Sequence, residues 1–260
     1  ANISAGDETE ELEEIEEGDI AVGSEEVTEF SDEINEEQVA EAGVNNTVGT
    51  AVSLKTNAFY KNRLVNDSDV NWYKFSVSKA GNLSVTFKHD YIESGSTYWK
   101  ISIYNSLMEE ISWDSFQGNE VSQTTDKFGI PAGTYYIEVY SSFYYSSMPY
   151  NMKVSYTESV SWETEINDTY LQADNVKLGQ SINAGLQSEY DVDWYKFTVP
   201  KSSYISYTFS HLCMQGEGNT YWKTTIYKAK NMEEVDTYDF YGDESHSSNR
   251  MKLSAGVYYI

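Results

Sequence analysis

Between residues 69 and 260 the sequence states nearly the same pattern twice. "DVNWYKFSVSKAG" (69–81) is matched by "DVDWYKFTVPKSS" (191–203). "GSTYWKISIY" (95–104) is matched by "GNTYWKTTIY" (218–227), and "PAGTYYI" (131–137) by "SAGVYYI" (254–260). The offset is 122 residues at the Trp72/Trp194 pair and 123 at Trp99/Trp222 and Gly133/Gly256. A repeat of that length is a whole domain rather than a solenoid unit. The expectation is two copies of one fold, at residues 41–157 and 161–260. The alternating run "YNMKVSYTES" (150–159) has no counterpart before Ile260. A second copy short of its last strand would carry unpaired edge groups, so we expect the parent chain to continue.

Within each copy, apolar residues alternate with period two, the mark of a half-buried strand. The inward sets are Tyr73/Phe75/Val77, Leu83/Val85/Phe87, Trp99/Ile101/Ile103, Tyr135/Ile137/Val139 and Met152/Val154. In the second copy Tyr195/Phe197/Val199 and Ile205/Tyr207/Phe209 take the same places. Turns such as "KAGN" and "PAGT" separate the runs. Many short strands joined by turns predict an all-β chain of two tandem antiparallel, jelly-roll-like β-sandwiches.

Ahead of them lies a different kind of sequence. The chain holds 42 acidic and 17 basic residues, a net charge of -25. Residues 1–41 carry 17 of the acids and no base, so the rest is only mildly acidic. That segment has too few large apolar residues to offset its ordering entropy. Residues 1–40 are therefore expected to be a mostly disordered acidic tail. The charge argues against nucleic acid as a partner. No run of about 18 apolar residues is present, so no helical membrane insertion is expected. The first residues are Ala-Asn, with neither an initiator Met nor a basic-then-apolar leader, which fits a mature secreted protein or an excised fragment. The single cysteine, Cys213, permits no internal disulfide and reads as a small buried hydrophobe.

The order E-x-E-x-N-D-T, then D-x-D-W-Y-x-F-x-V, then A-G-x-Y-Y-I resembles the bacterial pre-peptidase C-terminal domain family. That family includes the collagen-binding domains of clostridial collagenases. The resemblance covers residues 41–157 and 161–260. It implies a jelly-roll-like sandwich that is non-catalytic and attached to secreted enzymes or surface proteins, with calcium bound in several members. In calcium-binding members the acidic segment before the first strand chelates the ion together with a strand-start Asp. Carried over, Glu163, Glu165, Asn167 and Asp168 of "WETEINDTY" match the segment ligands, and Asp191 and Asp193 match the strand start. Calcium is a hard ion that takes six to eight oxygens, which suits that set. Residues 163, 165 and 167 would share one face of an extended segment. The bland alternative is a polar linker whose Asn-Asp pair makes a turn. The first copy reads "EAGVNNT" here, with Gly43 and Asn71 where the second has Glu165 and Asp193, so a weaker or empty site is expected there.

Other chemistry is sparse. His89 and His211 sit at equivalent strand ends and His246 lies in "DESHSSN", with no second ligand at zinc spacing. No nucleophile motif or phosphate-cradling loop appears, so no enzyme is expected. Twenty-three tyrosines and six tryptophans suggest a recognition surface. If Tyr135 and Ile137 point inward, Tyr136, Glu138 and Tyr140 point out, and Tyr136 and Tyr140 become candidate ligand contacts. The expectation is an extracellular or cell-surface accessory module that binds calcium and a fibrous protein or polysaccharide. A carbohydrate-binding module and a plain structural spacer are the alternatives.

Overall fold

The computed structural model describes residues 38–39, 44–211, 219–242 and 246–260. The expectations for the acidic tail and for Cys213 lie outside those residues, except at Gln38–Val39, which form a strand.

Among the described residues the first half holds eleven strands: β1 (Gln38–Val39), β2 (Val52–Ser53), β3 (Phe59–Asn62), β4 (Val70–Val77), β5 (Gly81–His89), β6 (Thr97–Tyr104), β7 (Glu110–Gln117), β8 (Ser122–Thr124), β9 (Phe128–Ile130), β10 (Gly133–Ser141) and β11 (Tyr150–Glu158). One sheet runs β2-β4-β10-β6-β7, the other β1-β3-β11-β5-β8 with β9 also on β5. The predicted inward residues meet between them. Tyr73, Leu83, Val85, Phe87, Trp99, Ile101, Ile103, Ile137 and Val139 are all buried in one core. Register explains why they stack: Ile137 lies opposite Tyr73 on one side and Ile103 on the other, while Val154 lies opposite Val85. Each such side chain contributes about 1.5–3 kcal/mol by leaving water. Phe87 stacks on Phe116 with centroids 4.4 Å apart.

The second half holds β12 (Asp174–Asn175), β13 (Tyr195–Val199), β14 (Ser203–Ile205), β15 (Thr208–Phe209), β16 (Thr220–Lys228), β17 (Glu233–Tyr241), β18 (His246–Ser247), β19 (Met251–Leu253) and β20 (Gly256–Tyr259). Its larger sheet runs β12-β13-β20-β16-β17, the same order as β2-β4-β10-β6-β7. Facing it are two separate ladders, β14-β19 and β15-β18. Among the described residues no strand lies beside β14 and β15 in the way β11 lies along β5. Phe197 and Val199 are buried as expected, whereas Ile205, Tyr207 and Phe209 are only half-buried. Among the described residues nothing stands where Met152 and Val154 cover β5, and the described core is smaller.

The chain is all-β, and its long strand pairings are antiparallel as expected. Among the described strands the parallel pairs are β1–β3, β2–β4 and β12–β13. These are two-residue contacts in which the chain grazes an edge before turning. The β6–β7 and β16–β17 hairpins each place a methionine in the left-handed region, Met108 at φ 63° and Met232 at φ 54°.

Candidate metal centre

The segment Trp162–Asp168 is held between the two halves. Glu163 N–H donates to the Asn183 carbonyl at 3.0 Å, and Asn183 N–H donates to Ser161 O at 2.7 Å. On the other flank Glu165 N–H donates to the carbonyl of Gly129, in β9, at 3.1 Å. Gly129 has to be glycine, because a Cβ there would overlap the Glu163 carbonyl. Alternation then sorts the side chains. Glu163, Glu165 and Asn167 are buried on one face. Thr164 is tied down by Asp174, which accepts its N–H and hydroxyl at 2.6 Å each, and Ile166 packs on the first core.

A loop completes the centre from the opposite side. Gly185 N–H donates to Glu163 Oε1 at 2.7 Å, and Gln187 N–H donates to Asp191 Oδ2 at 2.6 Å. The Tyr195 hydroxyl donates to Glu163 Oε2 and lies 3.3 Å from Asp193 Oδ2. The Asn167 amide sits 3.4 Å from Glu163 Oε2. All six residues expected from the sequence therefore converge. Carboxylate oxygens of Glu163, Glu165 and Asp193 lie within 4.8 Å of one another, and so do those of Glu165, Asp168 and Asp191. Glu165 belongs to both groups.

This buried acidic cluster could hold a metal ion. Three of its oxygens, Glu165 Oε1, Asn167 Oδ1 and Asp193 Oδ1, are buried without a hydrogen-bond partner. Buried polar oxygens left that way are costly, and a cation satisfies them together. The titration behaviour points the same way. Burial, reinforced by the charges of Glu163, Asp191 and Asp193, pushes the Glu165 carboxyl up to about 9. Burial, with Glu163 and Asp191 beside it, pushes Asp193 up to about 8. Glu163 is raised by burial against the pull of its hydrogen bonds from Tyr195, Gly185 and Asn167. Asp168 is raised by burial and by Asp191. Burial raises the Tyr195 phenol, so it stays a donor. An all-oxygen, anionic donor set of this kind suits a hard divalent cation.

Spacing alone did not reveal Tyr195, Gly185 or Gly129. Tyr195 had a signal, since it lies two residues after Asp193 and so on the same strand face. Gly129, inside the apolar run "FGI", was a hint of close backbone approach.

The first half has the same frame with different side chains. Trp72 N–H donates to Asn45 O, as Trp194 N–H does to Asn167 O. Val65 N–H donates to Asp69 Oδ2, as Gln187 N–H does to Asp191 Oδ2. Asn71 replaces Asp193, and its amide donates to Arg63 O and to the Tyr150 hydroxyl, 3.0 Å each. Tyr73 and Tyr150 share a 2.7 Å hydrogen bond, with the Asn62 amide on Tyr73 at 2.9 Å. Two amide oxygens, Asn45 Oδ1 and Asn71 Oδ1, remain without partners. Asp69 is the one carboxylate placed as in the second half among the described residues; Glu41 and Gly43 lie outside them.

The other candidates are also placed. Tyr136 and Tyr140 are half-buried on the outer face of the β2-β4-β10-β6-β7 sheet. Lys100 extends over Trp113 at 4.2 Å and lies 5.9 Å from the Tyr140 ring, while the Tyr104 hydroxyl donates to Glu138 at 3.0 Å. His89 packs on Trp99 at 4.3 Å, and Asp90 O and Gln117 O lie within hydrogen-bond reach of its ring nitrogens. His211 lies over Trp222 at 4.4 Å.

No family model and no curated protein matches the sequence. Among solved structures, the chain is similar to the pre-peptidase C-terminal domain of a collagenase from Bacillus anthracis. The identity is 19% over 40% of this chain and 94% of that one, with a TM-score of 0.33. It is also similar to a protein from Eubacterium rectale, at 9% identity over 83% of this chain and 72% of that one, with a TM-score of 0.31.

Proposed function

We propose that the chain is a non-catalytic accessory module of a secreted or cell-surface bacterial protein, built from two copies of a pre-peptidase C-terminal type sandwich. Its second copy binds calcium through Glu163, Glu165, Asn167, Asp168, Asp191 and Asp193, and the module assists attachment of a larger protein to substrate or matrix. The observation that carries the calcium reading is the set of buried, unpartnered oxygens on Glu165, Asn167 and Asp193 amid five carboxylates. Calcium fits better than magnesium, since a loose shell of many oxygens suits the larger ion and magnesium demands a tight octahedron. The attachment reading draws on the outer aromatic face with Tyr136 and Tyr140. Titration calorimetry with calcium tests the metal. Heat and saturation are expected at or below millimolar calcium, with a weaker response for Glu163→Gln/Glu165→Gln. No heat, together with a melting temperature indifferent to chelator, would reduce "WETEINDTY" to a polar linker.

A further inference from the structure

Beside the acidic cluster lies a cleft of about 560 Å³ that none of the cluster's residues lines and that meets the outer tyrosine face only at Trp113, under Lys100. One wall is Ser112–Asp114 of β7 with Thr125–Phe128 leading into β9. The other is the loop Leu186–Tyr190, which runs directly into Asp191. Two rings stand there in solvent, Trp113 at 45% and Tyr190 at 84% exposure. An exposed indole and phenol in a concave site supply rigid contact area. Between them the lining is hydrogen-bonding, and its most enclosed charge is Asp114. Burial and the nearby Asp126 raise that carboxyl, and the Ser115 amide donates to it at 2.7 Å.

Charge narrows the occupant. Asp114, Asp126 and Glu189 face the cleft against Lys127, which turns away an anion. Lys100 already sits 4.2 Å over the Trp113 ring, so a second cation on that indole would meet a like charge. What remains is an uncharged ligand with apolar faces for the rings and hydroxyls for the polar lining. A saccharide chain has both. The volume lies in the range of small-ligand sites, about 300–1,000 Å³.

We propose that this cleft binds a short stretch of an uncharged polysaccharide, its sugar faces against Trp113 and Tyr190 and its hydroxyls on Asp114. The proposal rests on the attachment reading above and names the ligand class. Calorimetry of the whole chain with soluble hexasaccharides of glucose, xylose, mannose and N-acetylglucosamine tests it. At least one is expected to bind at a single site. Trp113→Ala and Tyr190→Ala, both at exposed positions, should each weaken that binding at least tenfold, while Tyr91→Ala should not. Absence of binding by all four sugars, or binding indifferent to both variants, overturns the proposal. So does capture in the cleft of a lysine-rich peptide in place of the sugars. Calcium heat measured on the same sample separates the two readings, because calcium binding without sugar binding fails the cleft alone.

Discussion

Asn71 and Asp193 stand at the same place in the two halves, two residues ahead of Tyr73 and Tyr195, and they do opposite things. The Asn71 amide donates to a carbonyl and a tyrosine in a network without charge, and its own oxygen has no partner. Asp193 adds an acid to a crowd of carboxyl groups, and one of its oxygens is likewise without a partner. Around both, two contacts recur: the Trp N–H on the Asn carbonyl, and a backbone N–H on Asp69 or Asp191. The difference teaches that shared backbone contacts do not decide how acidic this corner is. Side chains set the two corners apart, because a buried carboxylate needs a counter-charge or a proton and an amide needs neither.

The largest test of the contrast is in the cores. Trp99 is fully buried, whereas its counterpart Trp222 is half-buried. Trp99→Ala should cost about 3–5 kcal/mol, and Trp222→Ala clearly less, as read by hydrogen exchange in each half. Equal losses would mean that the smaller second core is as tightly packed as the first.

Calcium comes next. At a hundredfold excess over Kd it should stabilise the second half by about 2.7 kcal/mol and leave the first unchanged. Glu163→Gln/Glu165→Gln should remove most of that gain. Equal protection of both halves from exchange would erase the distinction between Asn71 and Asp193.

Backbone closeness is the third lever. Gly129→Ala forces the Glu163 carbonyl away, at about 1–3 kcal/mol for the overpacking. It should also weaken calcium binding, although residue 129 offers the ion no side chain. Unchanged calorimetry would uncouple β9 from the centre.

Acidity gives a direction without a size. In chelator, Glu165 and Asp193 keep their protons in the fold up to about 9 and 8, while the unfolded chain releases them near the ordinary carboxylate values. The folded state then binds more protons, so stability of the second half should fall as pH rises from about 5 to 9. Calcium should flatten or reverse that slope, since the ion binds the deprotonated acids. Melting curves with and without chelator at both ends of the range check the sign.

The smallest effect is the one expected to be shared. Met108→Gly and Met232→Gly each relieve a left-handed backbone that suits glycine. The extra freedom of glycine in the unfolded chain offsets part of the gain, leaving about 1 kcal/mol or less in either half.

The strand faces of the first half were legible in sequence because a period of two leaves a strand only two ways to face, and burial chose one. Ile205, Tyr207 and Phe209 follow the same pattern and are only half-buried, since alternation names a face and says nothing of what covers it. At the acidic cluster the acids were legible, because they crowd into two short stretches. The donors from Gly185 and Tyr195 were not, as they depend on how a loop folds over the segment. Trp113 carried no sequence signal at all. It sits at an ordinary strand position, and only the loop brought opposite it makes a cleft.

The segment that carries Glu163 and Glu165 is bonded to Gly129 on one side and Asn183 on the other. Most connectors between sandwiches are slack and lengthen first when a chain is pulled. Here the joint is laced to both neighbours, so tension along the polypeptide has to shear those backbone bonds before any slack is released. The two halves should bear load as one link, and a force-extension trace should show no low-force lengthening at the joint ahead of the first sandwich to unfold.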